Sequence, residues 1–307
     1  MPNTRQIKQR MNSVSNTSRI TSAMELIAGA KMRRAQQRVV ESRPYSAKLL
    51  EVLTDLTSSG SSGGDDLHPF LEKREVKKTV VIHFTPDRGL CGGLNSNLNK
   101  KALEFATNEV NPVSFFNVGK KGRDFISRRE LEIMGEQIDN GDFPTPEDLG
   151  NVSSKVMQDY IDGSVDRVFI VYAKFVNTAV QTPELRQLLP IEPSQFTADS
   201  DTEDAGNIAS YEYEPDVESV LGSLLPRYVE MQIYQAALEN AASEQSARMV
   251  AMRQATDAAR HLPRFAAADH ALHQHVAWYF SRLHRSRLRH AALHHRQGSC
   301  GDLLGRQ

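Results

Sequence analysis

The residues best placed to do chemistry lie in one glycine-rich run, Thr85-Pro86-Asp87-Arg88-Gly89-Leu90-Cys91-Gly92-Gly93-Leu94-Asn95. It falls between an apolar β-branched stretch and an amphipathic one, the strand-to-helix position where phosphate loops form. Glycines permit tight backbone there, and the free N–H groups of a helix start attract anions. The spacing nonetheless matches neither G-x-G-x-x-G nor G-x-x-x-x-G-K-[ST], and no lysine follows until Lys100. A structural turn is the better reading. Cys91 carries a thiol, but no histidine or acid pattern accompanies it, so it reads as a small buried side chain. His68 and His83 stand alone and read as structural. His270, His273, His275, His284, His290, His294 and His295 crowd the C-terminal end, yet no cysteine or acid pattern joins them into a defined metal site. No catalytic, cofactor-binding or metal residue is assigned.

The elements that must position that loop come in two kinds. Residues 3–58 read as one long helix, with Gly29 its only glycine and no proline before Pro44. Ile7, Met11 and Val14 start a seam at alternating four- and three-residue spacing, and Met24, Ile27, Lys31 and Ala35 resume it after the polar Ser15–Ser18. A stripe this long cannot bury itself and needs a partner helix. Residues 59–75 are a linker, opened by Ser59-Gly60-Ser61-Ser62-Gly63-Gly64. Residues 76–190 change period. Strands are expected over 77–85, 113–118 and 165–175, with a weaker one over 180–189 that Pro183 interrupts. Helices are expected over 94–108, 121–129 and 144–160, the last capped near Thr145. Alternating strands and helices imply a mostly parallel, Rossmann-like sheet covered on both faces.

An acidic loop, 191–215, leads into a second long helix, 216–259. Its seam keeps the same spacing through Leu221, Leu224, Tyr228, Met231, Gln235, Leu238, Ala242, Gln245, Met249, Met252, Thr256 and Ala259. The simplest packing is an α/β fold with long terminal helices: an antiparallel two-helix coiled coil with the α/β domain inserted at its base.

The net charge of −1 conceals segregation. Residues 1–50 hold ten Lys/Arg and two acids, whereas residues 191–226 hold nine acids and no Lys or Arg. The first segment suits an acidic protein partner. Tyr45 is its only aromatic, which argues against single-strand nucleic-acid binding. No apolar run approaches the roughly 18 residues that span a bilayer. The N-terminal Met1-Pro2-Asn3-Thr4-Arg5-Gln6 has no signal-peptide core, and two cysteines suit a reducing compartment. A nucleotide-binding α/β enzyme and a basic coiled-coil nucleic-acid binder are the competing readings.

Several segments together resemble one family, the gamma subunit of bacterial F-type ATP synthase. Ile20–Gln36 (Ile-Thr-Ser-Ala-Met-Glu-Leu-Ile-Ala-Gly-Ala-Lys-Met-Arg-Arg-Ala-Gln) and Arg43-Pro44-Tyr45 resemble its first helix. Asp87-Arg88-Gly89-Leu90-Cys91-Gly92-Gly93-Leu94-Asn95 resembles its signature loop, with Asp87, Arg88, Gly89, Gly92, Gly93 and Asn95 as the family positions. Lys174–Thr178, Gln187–Pro190, Tyr213–Asp216 and Arg227–Glu230 follow in order, and Ala242–Met252 is the most specific stretch. The resemblance implies a non-catalytic rotor shaft without cofactors. In that family the shaft passes through a ring of three α and three β subunits, and the α/β foot rests on the c-ring beside the epsilon subunit. Proton-driven c-ring rotation then drives conformational cycling of the catalytic sites. Residues facing the ring would be Ile20, Met24, Lys31, Arg34, Arg248, Met249 and Met252. The implied location is the cytoplasmic face of the bacterial plasma membrane, peripheral and without nucleic acid.

The resemblance stops near Ala259. Residues 260–307 form an atypical tail holding eight of the ten histidines, eight arginines, no lysine and the only Trp. Pro263 is expected to end the helix, at a cost of about 3 kcal/mol if it continued. This composition reads as a frame-shifted translation. Such a tail is expected to leave Ile7, Met11 and Val14 uncovered.

Overall fold

The computed structural model describes residues 4–59, 68–192, 214 and 216–298. In chain order they form α1 (Thr4–Ser59), β1 (Thr79–Phe84), α2 (Leu94–Asn108), β2 (Val113–Val118), α3 (Lys120–Arg128), β3 (Glu132–Gln137), α4 (Pro146–Ile161), β4 (Arg167–Phe175), β5 (Gln181–Leu189) and α5 (Val217–Gly298). Most of the glycine-rich linker and the acidic stretch Thr197–Asn207 lie outside the described residues. The chain divides into two compact units, residues 23–253 and residues 1–22 with 254–307.

The larger unit holds a five-stranded mixed sheet in the order β3-β2-β1-β4-β5. β1 lies at its centre, parallel to β2 and β4, and every one of its residues is buried. Its unbroken Thr-Val-Val-Ile-His-Phe run is what a strand covered on both faces requires. One face packs Val80, Ile82 and Phe84 against α4, α5 and the end of α1, where Leu49 and Leu53 join the core. The other face packs Val81, Phe115 and Val171 against α2 and α3. β5 is antiparallel to β4 and forms the sheet edge, so Pro183 removes no ladder hydrogen bond on its open side. α4 begins at Thr145, whose hydroxyl accepts from Asp148 N while the Asp148 carboxylate accepts from Thr145 N. This capping box satisfies two N-terminal donors.

β3 is a strand that the sequence reading missed. Glu132-Ile133-Met134-Gly135-Glu136-Gln137 is polar and carries a glycine, which is how an exposed edge reads. The glycine has a packing cause: a Cβ at Gly135 would lie 2.5 Å from Cε2 of Phe116.

The register of α1 also differs from the expected one. Within the larger unit the inward stripe is Ala28, Met32, Ala35, Val39, Ser42, Ser46, Leu49, Leu53 and Leu56, at unbroken four- and three-residue spacing. Ile27, assigned to the seam, is instead 56% exposed. Ala35 stands in both the expected and the observed stripe, but Ala28 and Ser42 are small and bury little area each, so apolar size misplaced the rest.

In the smaller unit Ile7, Met11, Val14 and Ser18 are half-buried and Thr21 is buried. The expected gap at Ser15–Ser18 is therefore no gap, and the expected exposure of Ile7, Met11 and Val14 does not occur. α5 continues through Pro263 to Gly298, where a break at the proline was expected. A helix-interior proline removes one hydrogen bond but does not forbid continuation; Pro44 and Pro226 likewise lie inside helices here. Apart from the exposed His261, the side chains of the tail histidines lie outside the described residues.

Candidate functional site

The glycine-rich loop leaves β1 with Thr85 and enters α2 at Leu94. Asp87 Oδ1 accepts from Lys120 N at 2.8 Å, tying the loop to the start of α3. Leu90 and Gly92 both adopt left-handed backbone, with φ of 65° and 59°. Cys91 is buried, and burial pushes its thiol above the ordinary range, away from the thiolate a nucleophile needs. Gly93 caps α2 without a side-chain hydrogen bond.

In doubly wound sheets, ligands bind outside the carboxyl ends of the strands where the strand order reverses. Here that point lies between β1 and β4. It is occupied by α5. Asn240 Oδ1 accepts from Ala173 N at 3.4 Å, and Ser243 Oγ donates to Ala173 O at 2.9 Å. Ser246 Oγ donates to Thr178 O at 2.8 Å. Arg248 reaches the loop itself and donates to Gly89 O at 3.3 Å. A Cβ on Gly92 would touch Cβ of Ala251 at 4.0 Å. The place where a nucleotide would sit is filled by the chain's own helix, and the signature loop is the seat of that helix.

The seat is electrostatically tuned. Arg248 also donates to Glu244 Oε1 at 2.6 Å, with both side chains less than a fifth exposed (11% and 18%). Burial raises the Glu244 carboxyl above its usual range while Arg248 pulls it down, and Asp142 and Asp87 add repulsion. Asp87, Arg88, Asp139, Gly141, Asp142 and Glu244 line a small cleft beside this pair. Among the described residues no group of His, Cys, Asp and Glu has an arrangement suited to a metal ion.

The residues singled out from sequence separate into inward and outward groups. Lys31 donates to Asp142 Oδ2 at 2.6 Å. Met249 packs on Gly29, where an added Cβ would lie 3.2 Å from its Sδ. Met252 is buried and Met24 half-buried. Ile20 is 60% exposed, and Arg34 is exposed as well. In the loop, Arg88 is exposed, while Asn95 Oδ1 is buried without a hydrogen-bond partner among the described residues. Asn240 carried no sequence signal, and Ser243 and Ser246 lay in the Ala242–Met252 stretch without a role assigned to them, because they fall off the seam. A second inward stripe, Leu225, Val229, Ile233, Ala236, Asn240 and Ser243, runs beside it at helical spacing and faces the sheet. Among the described residues no helix is long and apolar enough to cross a membrane.

The comparisons agree with this geometry. A family profile described as ATP synthase matches residues 3–264. The ATP synthase gamma chain of Dehalococcoides mccartyi (strain ATCC BAA-2266 / KCTC 15142 / 195) is 50% identical over 262 residues, covering 85% of this chain and 89% of that one. The gamma chain of Roseiflexus castenholzii is 44% identical over 268 residues, covering 86% and 89%. Among solved structures, a chain of the Euglena gracilis mitochondrial ATP synthase rotor superposes with a TM-score of 0.58 at 19% identity, over 88% of this chain and 96% of that one. A chain of the Tetrahymena thermophila central stalk and c-ring gives 0.53 at 24% identity, over 77% and 99%. At those identities the two structures speak to the fold alone. The profile ends at residue 264, so residues 265–307, with all the tail histidines except His261, lie beyond the match. With a filled ligand crevice, a helix-seating signature loop and half-identical gamma chains over most of its length, this chain belongs to the ATP synthase gamma-chain family and is a non-catalytic subunit of the central stalk.

Proposed function

We propose that α1 and α5 pair as an antiparallel coiled coil and that this pair is the rotating axle of a bacterial F1Fo ATP synthase. The observation that carries the reading is the direction of contact. Within the larger unit Gly29 meets Met249 and Ser42 donates to Gln235 at 2.8 Å, so partner numbers fall along α5 as they rise along α1. The sheet domain, fixed to α5 through the signature loop, is the foot that takes up rotation from the c-ring together with the epsilon subunit. The axle then turns inside the ring of α and β subunits at the cytoplasmic face of the membrane. Coupling is rigid-body: each orientation of an asymmetric shaft favours a different conformation of each catalytic site.

Ile20 and Arg34, both outward, are proposed ring contacts, with Met24 beside them. Lys31, Arg248, Met249 and Met252 make contacts within the chain and would reach the ring through the shape they give the shaft. The test is co-purification of this chain with α and β subunits, followed by ATPase assay with and without it. A complex whose hydrolysis depends on the chain is the expected result. Failure to associate, or hydrolysis indifferent to the chain, refutes the reading.

A further inference from the structure

Between β3 and α4 the chain makes a short strap, residues 138–145, and one carboxylate in it holds both long helices. Asp142 Oδ2 accepts from Lys31 Nζ of α1 at 2.6 Å, and Asp142 Oδ1 accepts from Gln245 Nε2 of α5 at 3.2 Å. The next residue strengthens the grip: the Arg38 guanidinium of α1 lies 4.9 Å from the centroid of the Phe143 ring. A cation over an aromatic face at this distance is attractive.

The strap is braced at both ends. Asp139 and Gly141 turn it through left-handed backbone, with φ of 60° and 72°. Gln137, the last residue of β3, donates from Nε2 to Asn140 Oδ1 at 2.6 Å. The Thr145–Asp148 capping box fixes the other end to α4. A sideways force on Asp142 therefore passes into the sheet edge and α4 instead of being absorbed by loop motion. The remaining polar groups of the cleft favour this pairing. Asp87, Asp139 and Glu244 line the same cleft and add negative charge, offset by Arg88 in the lining and by Arg248 on Glu244, so the direct Lys31–Asp142 pair is the contact that matters.

We propose that Asp142 is a torsional clasp, a positioning residue that fixes α1 and α5 to the sheet domain so that rotation of the domain is delivered to the shaft. The apolar core seats the end of α1 on the sheet near Leu49 and Leu53; Asp142 adds a polar grip on both helices further along, at Lys31 and Gln245. Contact of one carboxylate with both, at the same level, opposes sliding and twisting together. The signature loop alone cannot do this, because of the two long helices it grips α5 through Arg248, while its Asp87 contact goes to α3. The inference rests on the rotor reading.

The test uses assembled ATP synthase carrying this chain, with ATP hydrolysis and ATP-driven proton pumping measured on the same membranes. Asp142→Ala and Lys31→Met are each expected to lower protons pumped per ATP by about threefold, the scale of one partly exposed ion pair, while hydrolysis stays within about twofold. The double variant should be no worse than either single one, because both remove the same clasp. Asp142→Glu should restore most of the loss. Should the alanine variant fail to fold, Asp142→Asn keeps the shape and is expected to show a smaller loss in the same direction. Unchanged pumping per ATP overturns the clasp, as does a proportional fall in hydrolysis and pumping, which would mark a plain assembly defect. If the unsubstituted chain itself yields hydrolysis that does not depend on it, the rotor reading fails instead, and the two failures are told apart.

Discussion

The hydroxyls of Thr21 and Thr256 lie 2.7 Å apart, one on α1 and one on α5, with both residues buried. Thr21 also donates or shares with the carbonyls of Thr17 and Ser18, at 3.1 and 3.2 Å. A buried polar pair inside a helix seam adds little net stability but favours one register, since a slipped helix sets each hydroxyl against a different neighbour. Thr256→Val alone should destabilise by about 1 kcal/mol, because the Thr21 hydroxyl keeps the Thr17 and Ser18 carbonyls, and the double Thr21→Val/Thr256→Val change should cost less than the two single changes added. Urea unfolding of the four chains in the cycle measures the coupling. A double variant as weak as the sum of the singles would deny the pair its role.

His83 gives a pH prediction. It sits on β1 wholly buried, with Nδ1 3.4 Å from Asn117 Oδ1 and Nε2 lacking a hydrogen-bond partner among the described residues. Burial pushes it down from the ordinary 6.5 to about 4, with the Asn117 hydrogen bond pulling slightly the other way. The unfolded chain takes up a proton as pH falls below the ordinary value, and the folded chain does so only near the depressed one. Stability is thus complete above pH 6.5 and lost progressively toward pH 4, with the full shift worth at most about 3 kcal/mol. His83→Gln should flatten the dependence of urea midpoint on pH across that window, while a slope identical to the unsubstituted chain would show that other groups set it.

Much of this architecture was legible in sequence, and the failures share a cause. β1, β2, α2 and α4 announced themselves through apolar runs, periodicity and the Thr145 cap. β3 did not, because an exposed edge strand with Gly135 carries no hydrophobic pattern. The α1 register was misplaced because its inward positions include the small Ala28 and the polar Ser42 and Thr21, while the large Ile27 and Leu26 point outward. Size marks a core only where the core is built from large residues; close helix approach uses small ones. The signature loop was found, but its role was not. That role depends on Arg248 reaching Gly89 across 159 positions of chain, a pairing that spacing cannot reveal.

Two glycines separate backbone necessity from packing preference. Gly119 holds φ at 111°, and a Cβ there would fall 1.8 Å from Thr85 O, a backbone atom. Gly119→Ala should cost about 3 kcal/mol or more and depress expression of folded chain. Gly29 lies in a regular helix, and its added Cβ would meet only the flexible Met249 sulfur at 3.2 Å. Met249 is half-buried and can move aside, while alanine gains up to about 1 kcal/mol of helix propensity over glycine. Gly29→Ala is expected to be neutral or slightly stabilising in thermal melts. Equal destabilisation by the two substitutions would mean that the seam at Gly29 is too tight for a methyl group.

Removing Arg248 isolates the signature-loop contact. Its guanidinium joins the buried Glu244 carboxylate to Gly89 O, so Arg248→Leu strips that carboxylate of its hydrogen-bonded cation in a cleft whose lining holds Asp87, Asp139 and Asp142 against Arg88. Breaking one side of such a pair costs more than the pair contributes. We expect a loss of about 2 kcal/mol at pH 7, shrinking as pH falls and Glu244 takes up its proton. Arg248→Leu/Glu244→Leu should be closer to the unsubstituted chain than the single variant is. Denaturant titrations at pH 7 and pH 5 decide this; a pH-independent loss would exclude the stranded carboxylate as its cause.

The tail yields a prediction that needs no protein. Carried past Ala259 at the same spacing, the α5 seam falls on Pro263, Ala266, His270, His273, Ala277, Phe280 and His284. Imidazoles at three of these positions are poor seam residues; the seam before them holds the polar Gln235, Gln245 and Thr256 but no histidine. A single-base shift near codon 260 would account for both the abrupt change and the Arg/His-rich composition. Reading the coding sequence one base out from that point should place small and apolar residues at the seam positions and continue without a stop. An early stop codon, or a shifted frame with no four-and-three spacing, would establish the histidine-rich helix as this chain's own end.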